Sequence, residues 1–483
     1  MSRQPYLRIN FNRQDPGRTL SAHQIVVAIK EQIVTEKVAP GCRLPPVRVM
    51  AHQLSISKNT VQVAYDELVA QGLAESRKRV GLFVACLSQP VDAASVHRVP
   101  SPQVVPLPPT DLNRYRLIAK QPINLSSVFI DADLLPRERL AACFRAVVKQ
   151  PNLHTDYHAQ GLLPLRRVIA QRLQKRGIEA RVEDIITTAG SQQALDMVCR
   201  ILTHKRIATE NPTYELGKML FDMNHVETVG LPLDPFDGMD VDQWQDALAQ
   251  SRPSLVYLTT NFHNPTGYSY STSELQHILA WSQQLGFGIL EDDWGSDMLS
   301  FSEFKPSLRA RGGSGVLYIN SFTKKLLPSL RLGYIVGNEQ TTAALVASKT
   351  VSCLGLSSIV EAALFEFLDR GYYDVHLKHL QYELDQRYRN CLELLRQTMP
   401  EGVKWTAPGG GPSLWLELPK RVDCKKLKTK LEARQVAIHL SSHAFFDQPH
   451  LNGFRIGYAL LAPHELQRGI EIVAAELTTA LKA

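Results

Sequence analysis

Apolar and polar positions follow three different rhythms along the chain. From Leu20 to Val34 the apolar residues Ile25, Ala28, Ile29 and Ile33 form one helical stripe, and Pro40 and Gly41 break the chain after it. A second helix opens at Pro46 and ends at Leu54. Ser55, Ile56 and Ser57 then turn the chain, and Ser57 can cap a third helix from Lys58 to Gln71, striped by Val61, Tyr65, Leu68 and Val69 and stopped at Gly72. Leu73 to Ser76 and Leu82 to Ala85, joined by Arg77, Lys78, Arg79 and Gly81, read as a β-hairpin with a basic tip. Residues 88 to about 120 lose all periodicity and gather Pro90, Pro100, Pro102, Pro106, Pro108 and Pro109, the mark of an extended, semi-rigid spacer.

From 121 onward strands and helices alternate. Helical stripes at Leu140–Val148, Leu165–Arg176, Gln192–Leu202, Leu216–Asn224 and Thr272–Leu285 are separated by short apolar runs at Ile185–Ile186, Leu255–Leu258, Gly288–Leu290 and Val316–Ile319. That rhythm predicts an α/β fold with a largely parallel sheet wrapped by helices. A smaller lobe is expected from about Val351, beginning with a long helix and continuing with a hairpin near Pro408 and the glycines at 409, 410 and 411. The expected organisation is thus a small N-terminal domain at 1–87, a linker at 88–120, and a two-lobed domain at 121–483 whose large lobe ends near 350.

Composition adds boundaries to this picture. With 44% apolar and 21% charged residues, a chain of 483 residues has the make-up of a soluble protein with several cores. No stretch is long and apolar enough to span a bilayer, and the first residues lack the apolar core of a signal peptide, so the expected location is the cytoplasm. The seven cysteines are scattered singly, which indicates neither a disulfide framework nor a metal site. Charge is distributed unevenly: up to Leu87 twelve basic residues face six acidic ones, nearly the whole of the net +7. A polyanionic partner would therefore meet the N-terminal part.

Two short helices across a tight turn, followed by a hairpin, make a winged helix-turn-helix. Lys58, Asn59, Thr60 and Gln62 fall at the start of its third helix, the end that enters a major groove, with Arg48 and the wing residues Arg77 and Arg79 within reach of phosphates. Basic residues around a small helical domain can equally form a solvated face. The segment resembles the GntR-type winged helix on Leu44, Pro45, Arg48, Leu54, Ser57, Thr60, Val61, Ala64, Tyr65, Leu68 and Gly72. It departs from that pattern at Met50, where the family has leucine, and at Arg79, where the wing has glycine.

The stretch from Val316 to Tyr334 carries the other chemistry. A buried strand followed by Ser321, Phe322, Thr323 and Lys324 puts a lysine where open α/β sheets place ligands. Desolvation there lowers an amine's pKa and makes it a carbonyl nucleophile, while Ser321 and Arg331 can serve one phosphate. Taken singly, the Lys324, Lys325 pair would be a solvated loop. The stretch resembles the S-x-[ST]-K-x-x-x-P-x-L-R-x-G segment of fold-type-I aminotransferases, which implies pyridoxal 5′-phosphate (PLP) as cofactor, bound as an aldimine to Lys324 and not Lys325. The resemblance extends through the chain in order. Gly190, Ser191 and Gln192 suit a phosphate at a helix start; Tyr214 matches the residue stacking on the cofactor ring; Asn264 sits in an NP-[TS]-G motif and would bond the ring oxygen. Asp292 would face the pyridine nitrogen, ahead of Asp293 because side chains alternate near a strand end. Trp294 occupies the position of a family tyrosine and brings an indole N–H without a hydroxyl. Tyr157 resembles the tyrosine that reaches the neighbouring subunit's phosphate, and Arg455 the arginine that holds a substrate carboxylate.

A GntR-like winged helix, a proline-containing linker and an aminotransferase-like domain together resemble the MocR-type transcriptional regulators. The resemblance implies a homodimer, head to tail, that binds an operator with two half-sites in double-stranded DNA and senses an amine or amino acid, or PLP itself, through Lys324. The alternative is a working aminotransferase with an accessory DNA-binding domain.

Overall fold

A computed structural model describes residues 20–35, 38–78, 80–85, 123–150, 158–296 and 307–482. The chain divides into two units, Met1–Thr110 and Asp111–Ala483. The linker expected at 88–120 lies outside the described residues, as do Arg79 and Tyr157.

In the first unit the helices are Ala22–Val34, Val47–Leu54 and Lys58–Ala70. The first starts at Ala22 and not Leu20, because Ser21 and Gln24 form a reciprocal capping box. The second ends where Ser55 turns left-handed, and the Ser57 side chain accepts the Thr60 N–H to start the third. The apolar stripes meet in one core of Ile25, Ile29, Met50, Leu54, Val61, Leu68 and Val84. Met50 is fully buried there, so it fills the volume of the leucine it replaces. Strands β1 (Ala74–Arg77) and β2 (Gly81–Val84) pair antiparallel as the wing. The Tyr65 hydroxyl, buried beneath the second helix, donates to the Pro45 carbonyl at 2.7 Å.

The second unit begins with β3 (Ile123–Asn124). It then builds one eight-stranded sheet from β4 (Ile185–Thr188), β5 (Arg206–Asn211), β6 (Glu227–Asp234), β7 (Gly238–Met239), β8 (Leu255–Leu258), β9 (Gly288–Asp292), β10 (Val316–Ser321) and β11 (Gly333–Val336), ordered β4-β11-β10-β9-β8-β5-β6-β7. The central pairs from β10 through β6 are all parallel, while β11 is antiparallel to both neighbours and β7 antiparallel to β6. Parallel strands buried on both faces read as continuous apolar runs, which is the pattern of β8 and β10. The sheet order places the carboxyl ends of β8, β9 and β10 side by side.

The smaller lobe is built on β12 (Lys404–Trp405), β13 (Ser413–Glu417) and β15 (Gly453–Gly457), with β14 (Val436–Ala437) apart from them. Its boundary differs from the expected one: β3 pairs in parallel with β14, and Leu125 packs into the small-lobe core with Leu414 and Ile456. Residues 123–125 therefore belong to the C-terminal lobe, although 121–350 reads as large-lobe sequence, because a two-residue strand carries no signal of its partner. The 27-residue helix Tyr372–Thr398 joins the lobes. Its first half (Tyr373, Leu377, Leu380, Leu384) packs in the large-lobe core and its second half (Tyr388, Cys391, Leu392, Leu395) in the small-lobe core.

Replacing Tyr65 by Phe removes the buried hydroxyl and leaves the Pro45 carbonyl without this donor. The expected cost is about 1 kcal/mol, read as a lower midpoint for the N-terminal transition in a denaturant titration of the full chain.

Candidate active site and DNA-facing surface

A cleft of about 1280 Å³ opens between the two lobes of the second unit, at the carboxyl ends of β8, β9 and β10. Its most constrained group is Lys324. After β10 the chain makes one helical turn, with the Lys325 and Leu326 N–H groups both bonded to the Phe322 carbonyl and the Thr323 N–H to Ser321 Oγ. That turn sends adjacent lysines in opposite directions. Lys324 lines the cleft, its Nζ 4.5 Å from the centroid of the Trp294 ring and 5.7 Å from that of Phe129. Lys325 is fully buried behind it and donates to Asn320 Oδ1 at 2.6 Å. Burial, with help from the Arg455 and Arg331 guanidiniums and against the pull of Asp292, brings the Lys324 amine down to about 7. At neutral pH a large share of it is thus a free nucleophile.

Asp292 closes β9 and also lines the cleft. Its Oδ2 accepts the Tyr257 hydroxyl at 3.0 Å, and burial, reinforced by the Asp293 charge, raises it to about 7 against that bond and the two lysines. Asp293 turns the other way, to Arg176 at 2.9 Å and the Tyr318 hydroxyl at 2.7 Å. The alternation at the strand end therefore sends the two carboxylates to opposite sides, Asp292 to the cleft and Asp293 to the Arg176 and Tyr318 side.

On the far side of Lys324, Gly190 precedes the helix Ser191–Ile201 at φ 86°, and a Cβ there would stand 3.2 Å from Arg331 Nη2 and 3.4 Å from Thr323 Oγ1. The missing side chain lets three elements converge: the helix N-terminus with Ser191 and Gln192, the turn with Ser321 and Thr323, and Arg331, whose Nη2 donates to the Ala189 carbonyl at 3.0 Å. Tyr214 precedes the helix Glu215–Met223 and lines the same wall. Asn264 and Arg455 complete the cleft. Arg455 donates through Nη1 to Asn264 Oδ1, and through Nε and Nη2 to the Ser126 carbonyl at 3.0 and 2.6 Å. With its oxygen engaged, Asn264 has its NH2 left to offer, the donor a ring oxygen needs.

The cleft thus gathers every described residue expected there from the sequence: Gly190 at its edge, and Ser191, Gln192, Tyr214, Asn264, Asp292, Trp294, Ser321, Lys324, Arg331 and Arg455 in its lining. Sequence reasoning missed Tyr257, Ser126 and the role of Thr323. Tyr257 lies in an apolar strand and reads as a core aromatic; Ser126 acts through its carbonyl, which every residue has. Neither leaves a signal.

On the first unit, Lys58, Asn59 and Gln62 are exposed, as is Arg48. Thr60 is half-buried, its hydroxyl 2.8 Å from Ser57 Oγ, so it serves the cap. Arg77 is exposed but already paired with Glu75 at 2.5 Å and stacked on Phe83 at 4.5 Å. To reach a phosphate it must leave an exposed ion pair, whose strength is only about 0–1 kcal/mol.

Two family models match this chain: aminotransferase class I and II over residues 121–473, and the gntR family of bacterial regulatory proteins over 21–84. HTH-type transcriptional regulator TauR of Rhodobacter capsulatus is 27% identical, across 95% of this chain and 97% of its own. The probable rhizopine catabolism regulatory protein MocR of Rhizobium meliloti is 27% identical over 92% of each chain. Among solved structures, the multiple substrate aminotransferase of Thermococcus profundus has a TM-score of 0.70 at 26% identity, covering 77% of this chain and 94% of its own. The chain belongs to the class I and II aminotransferase family and carries a GntR-type DNA-binding domain, the two-domain organisation of the MocR-type transcriptional regulators. Proteins of that aminotransferase family use PLP.

The cleft fits that cofactor. Asp292 Oδ1, Gln192 Oε1 and Thr323 Oγ1 are buried polar atoms of cleft residues with no hydrogen-bond partner among the described residues, a costly arrangement unless a polar ligand meets them. Among the described residues no group of three or more His, Cys, Asp and Glu could hold a metal, and no helix is long and apolar enough to cross a membrane.

The buried amine has a testable consequence for the protein without cofactor. Because the folded-state value of Lys324, about 7, lies below its usual 10.5, the unfolded chain binds more protons between those limits, and stability contributed through this group rises with pH across that window. Lys324→Met removes the penalty. The cofactor-free variant should be more stable than wild type at pH 7, with the difference shrinking by about 1.4 kcal/mol per pH unit as pH rises toward 10; denaturant titrations at several pH values measure it.

Proposed function

We propose that the protein is a PLP-dependent, DNA-binding transcriptional regulator whose response to an amino compound runs through Lys324. The observation that carries this reading is the Lys324 amine, desolvated to about 7 in a cleft that also presents Asp292 and a phosphate cradle, on a chain that bears a DNA-reading helix.

The roles divide as follows. Ser191, Gln192, Ser321, Thr323 and Arg331 would hold the cofactor's phosphate, with the N-terminus of the helix Ser191–Ile201 adding its dipole. Tyr214 would stack on the ring, Asn264 would donate to the ring oxygen, and Asp292, oriented by Tyr257, would take the ring nitrogen's proton-bearing side. When bound, the cofactor supplies an aldehyde carbon for amines. Lys324 would be the resident nucleophile toward that carbon, and Arg455 and the cleft walls would place an incoming amine to compete with it. Arg455 would draw a carboxylate-bearing amine by its planar fork, exchanging its bonds to the Ser126 carbonyl for the ligand. A head-to-tail homodimer in the cytoplasm, with Tyr157 of each chain serving its neighbour, would present two winged helices to an operator of two half-sites. The same cleft supports a second reading, turnover as an aminotransferase, because Lys324, Asp292 and Arg455 stand together in it; PLP itself as the regulated effector is compatible with the first.

The test combines spectroscopy with DNA binding. Full-length protein titrated with PLP should develop a visible absorbance band that is absent in Lys324→Ala and that changes on addition of one class of amino compound. In operator-binding measurements at fixed salt, Asn59→Ala should weaken specific binding by about 1–3 kcal/mol and relax base preference, while Arg48→Ala should weaken binding to all sequences and lower the salt dependence. Absence of sequence-preferring DNA binding, with or without PLP, would sink the regulator reading; sustained turnover of amino acid with keto acid would favour the enzyme.

A further inference from the structure

Behind Lys324 lies a buried connection that the cofactor site does not use. Lys325 has no solvent exposure, and its Nζ donates to Asn320 Oδ1 at 2.6 Å. Asn320 in turn donates from Nδ2 to the Asp293 carbonyl at 2.7 Å and to the Tyr318 hydroxyl at 3.0 Å. The carbonyl of Lys325 itself meets His376 Nε2 at 2.7 Å. A carbonyl can only accept, so Nε2 carries the proton and donates. His376 is 5% exposed and sits in the first turns of the helix Tyr372–Thr398. One turn earlier on the same helix, Tyr373 packs edge-on against Phe322 at 5.7 Å between ring centroids. The short turn that carries Lys324 is therefore clamped to this helix at both flanks, through Phe322 on one side and the Lys325 carbonyl on the other.

The helix is the one that runs through both lobe cores. From His376 to Tyr388, where small-lobe packing begins, is about 18 Å at 1.5 Å per residue. Beside Tyr388 the helix is anchored by Arg387, on the Ala459 and Leu461 carbonyls at 3.0 and 2.9 Å and on Asp131 at 2.7 Å. A rigid element that touches the Lys324 turn at one end and the lobe carrying Arg455 at the other is a physical route between the two, provided its near end is held by specific bonds.

We propose that Lys325 and His376 are positioning residues for Lys324: the buried Lys325 to Asn320 bond and the His376 to Lys325 carbonyl bond set the direction of the Lys324 side chain and tie its turn to the lobe-spanning helix. This rests on the reading of Lys324 as the cofactor's attachment point. Neither residue lines the cleft: His376 acts through the Lys324 turn, and Lys325 acts through that turn and through its charge on Asp292, which Lys325→Met and Lys325→Gln both remove, so the comparison of the two isolates the donor. A lysine at 325 is needed because its stem spans the core and delivers a donor to Asn320, while His376 offers a short, rigid N–H that most helix residues lack.

The test uses full-length protein loaded with PLP. Lys325→Met and His376→Phe keep bulk and remove the donors; Lys325→Gln and His376→Gln restore a donor of similar reach. The readouts are the pH midpoint of the Lys324-dependent visible band and the concentration of amino compound that half-saturates its change, with thermal unfolding recorded alongside. Lys325→Met and His376→Phe should move the pH midpoint and raise the half-saturating concentration about tenfold, and each Gln variant should recover most of the loss at comparable thermal stability. Where a Met or Phe variant fails to fold, the comparison of the Gln variant with wild type decides, because a packing role predicts that Gln destabilises without preserving the spectrum. Midpoints and amine response unchanged in folded Lys325→Met and His376→Phe would overturn the proposal while leaving the cofactor reading intact. A wild-type protein without any Lys324-dependent band would overturn both.

Discussion

The partial burial of the Lys324 amine, half-exposed at the wall of the cleft, is the constraint on which the rest of the cleft depends. Burial lowers the amine to about 7 and raises its neighbour Asp292 to about 7, so both groups sit near their midpoints at neutral pH. Neither state is favourable for an empty fold. Two desolvated titratable groups, together with the unpartnered Asp292 Oδ1 and Thr323 Oγ1, store a destabilisation that a bound polar group would relieve. The parallel strands make this arrangement possible. They deliver the Tyr257 wall, the Asp292 carboxylate and the Lys324 turn from three adjacent strand ends, so the geometry is held by backbone bonds and does not rely on flexible loops.

Placement of charge around the amine follows the same logic. Arg455 and Arg331 push the Lys324 proton off, while Asp292 pulls it back. Arg455 comes from the smaller lobe, on β15, so the proton affinity of Lys324 depends on where that lobe sits. A carboxylate-bearing ligand that neutralises Arg455 would remove one of the charges holding the amine neutral. The charge state of Arg455 and the nucleophilicity of Lys324 are therefore electrostatically joined within a single cleft.

Much of this arrangement is legible in the amino-acid sequence, for identifiable reasons. The helices of the winged unit announce themselves by period and by Ser57, whose capping bond is local in sequence. The difference between Asp292 and Asp293 follows from strand alternation; Lys324 is set apart from Lys325 in the sequence only by the family resemblance, and the helical turn after β10 supplies the physical reason. What the residues hide is equally specific. Tyr257 reads as core because its hydroxyl bond is to a residue 35 positions away. Arg77 reads as a wing residue within reach of phosphates, and its ion pair with Glu75 two residues earlier is not announced by the pattern. The pairing of β3 with β14 joins two-residue strands more than 300 residues apart, beyond the reach of any local pattern. Bonds made through backbone carbonyls, as by Ser126 and Lys325, carry no side-chain signature at all.

The most direct test of the Lys324 assignment is to treat the full-length protein with PLP, reduce it with borohydride and map the modified peptide by mass spectrometry. One phosphopyridoxyl adduct is expected, on Lys324, formed readily at neutral pH because that amine, lowered to about 7, is far less protonated than an ordinary lysine. An adduct on Lys325, a spread over surface lysines, or no adduct would contradict it.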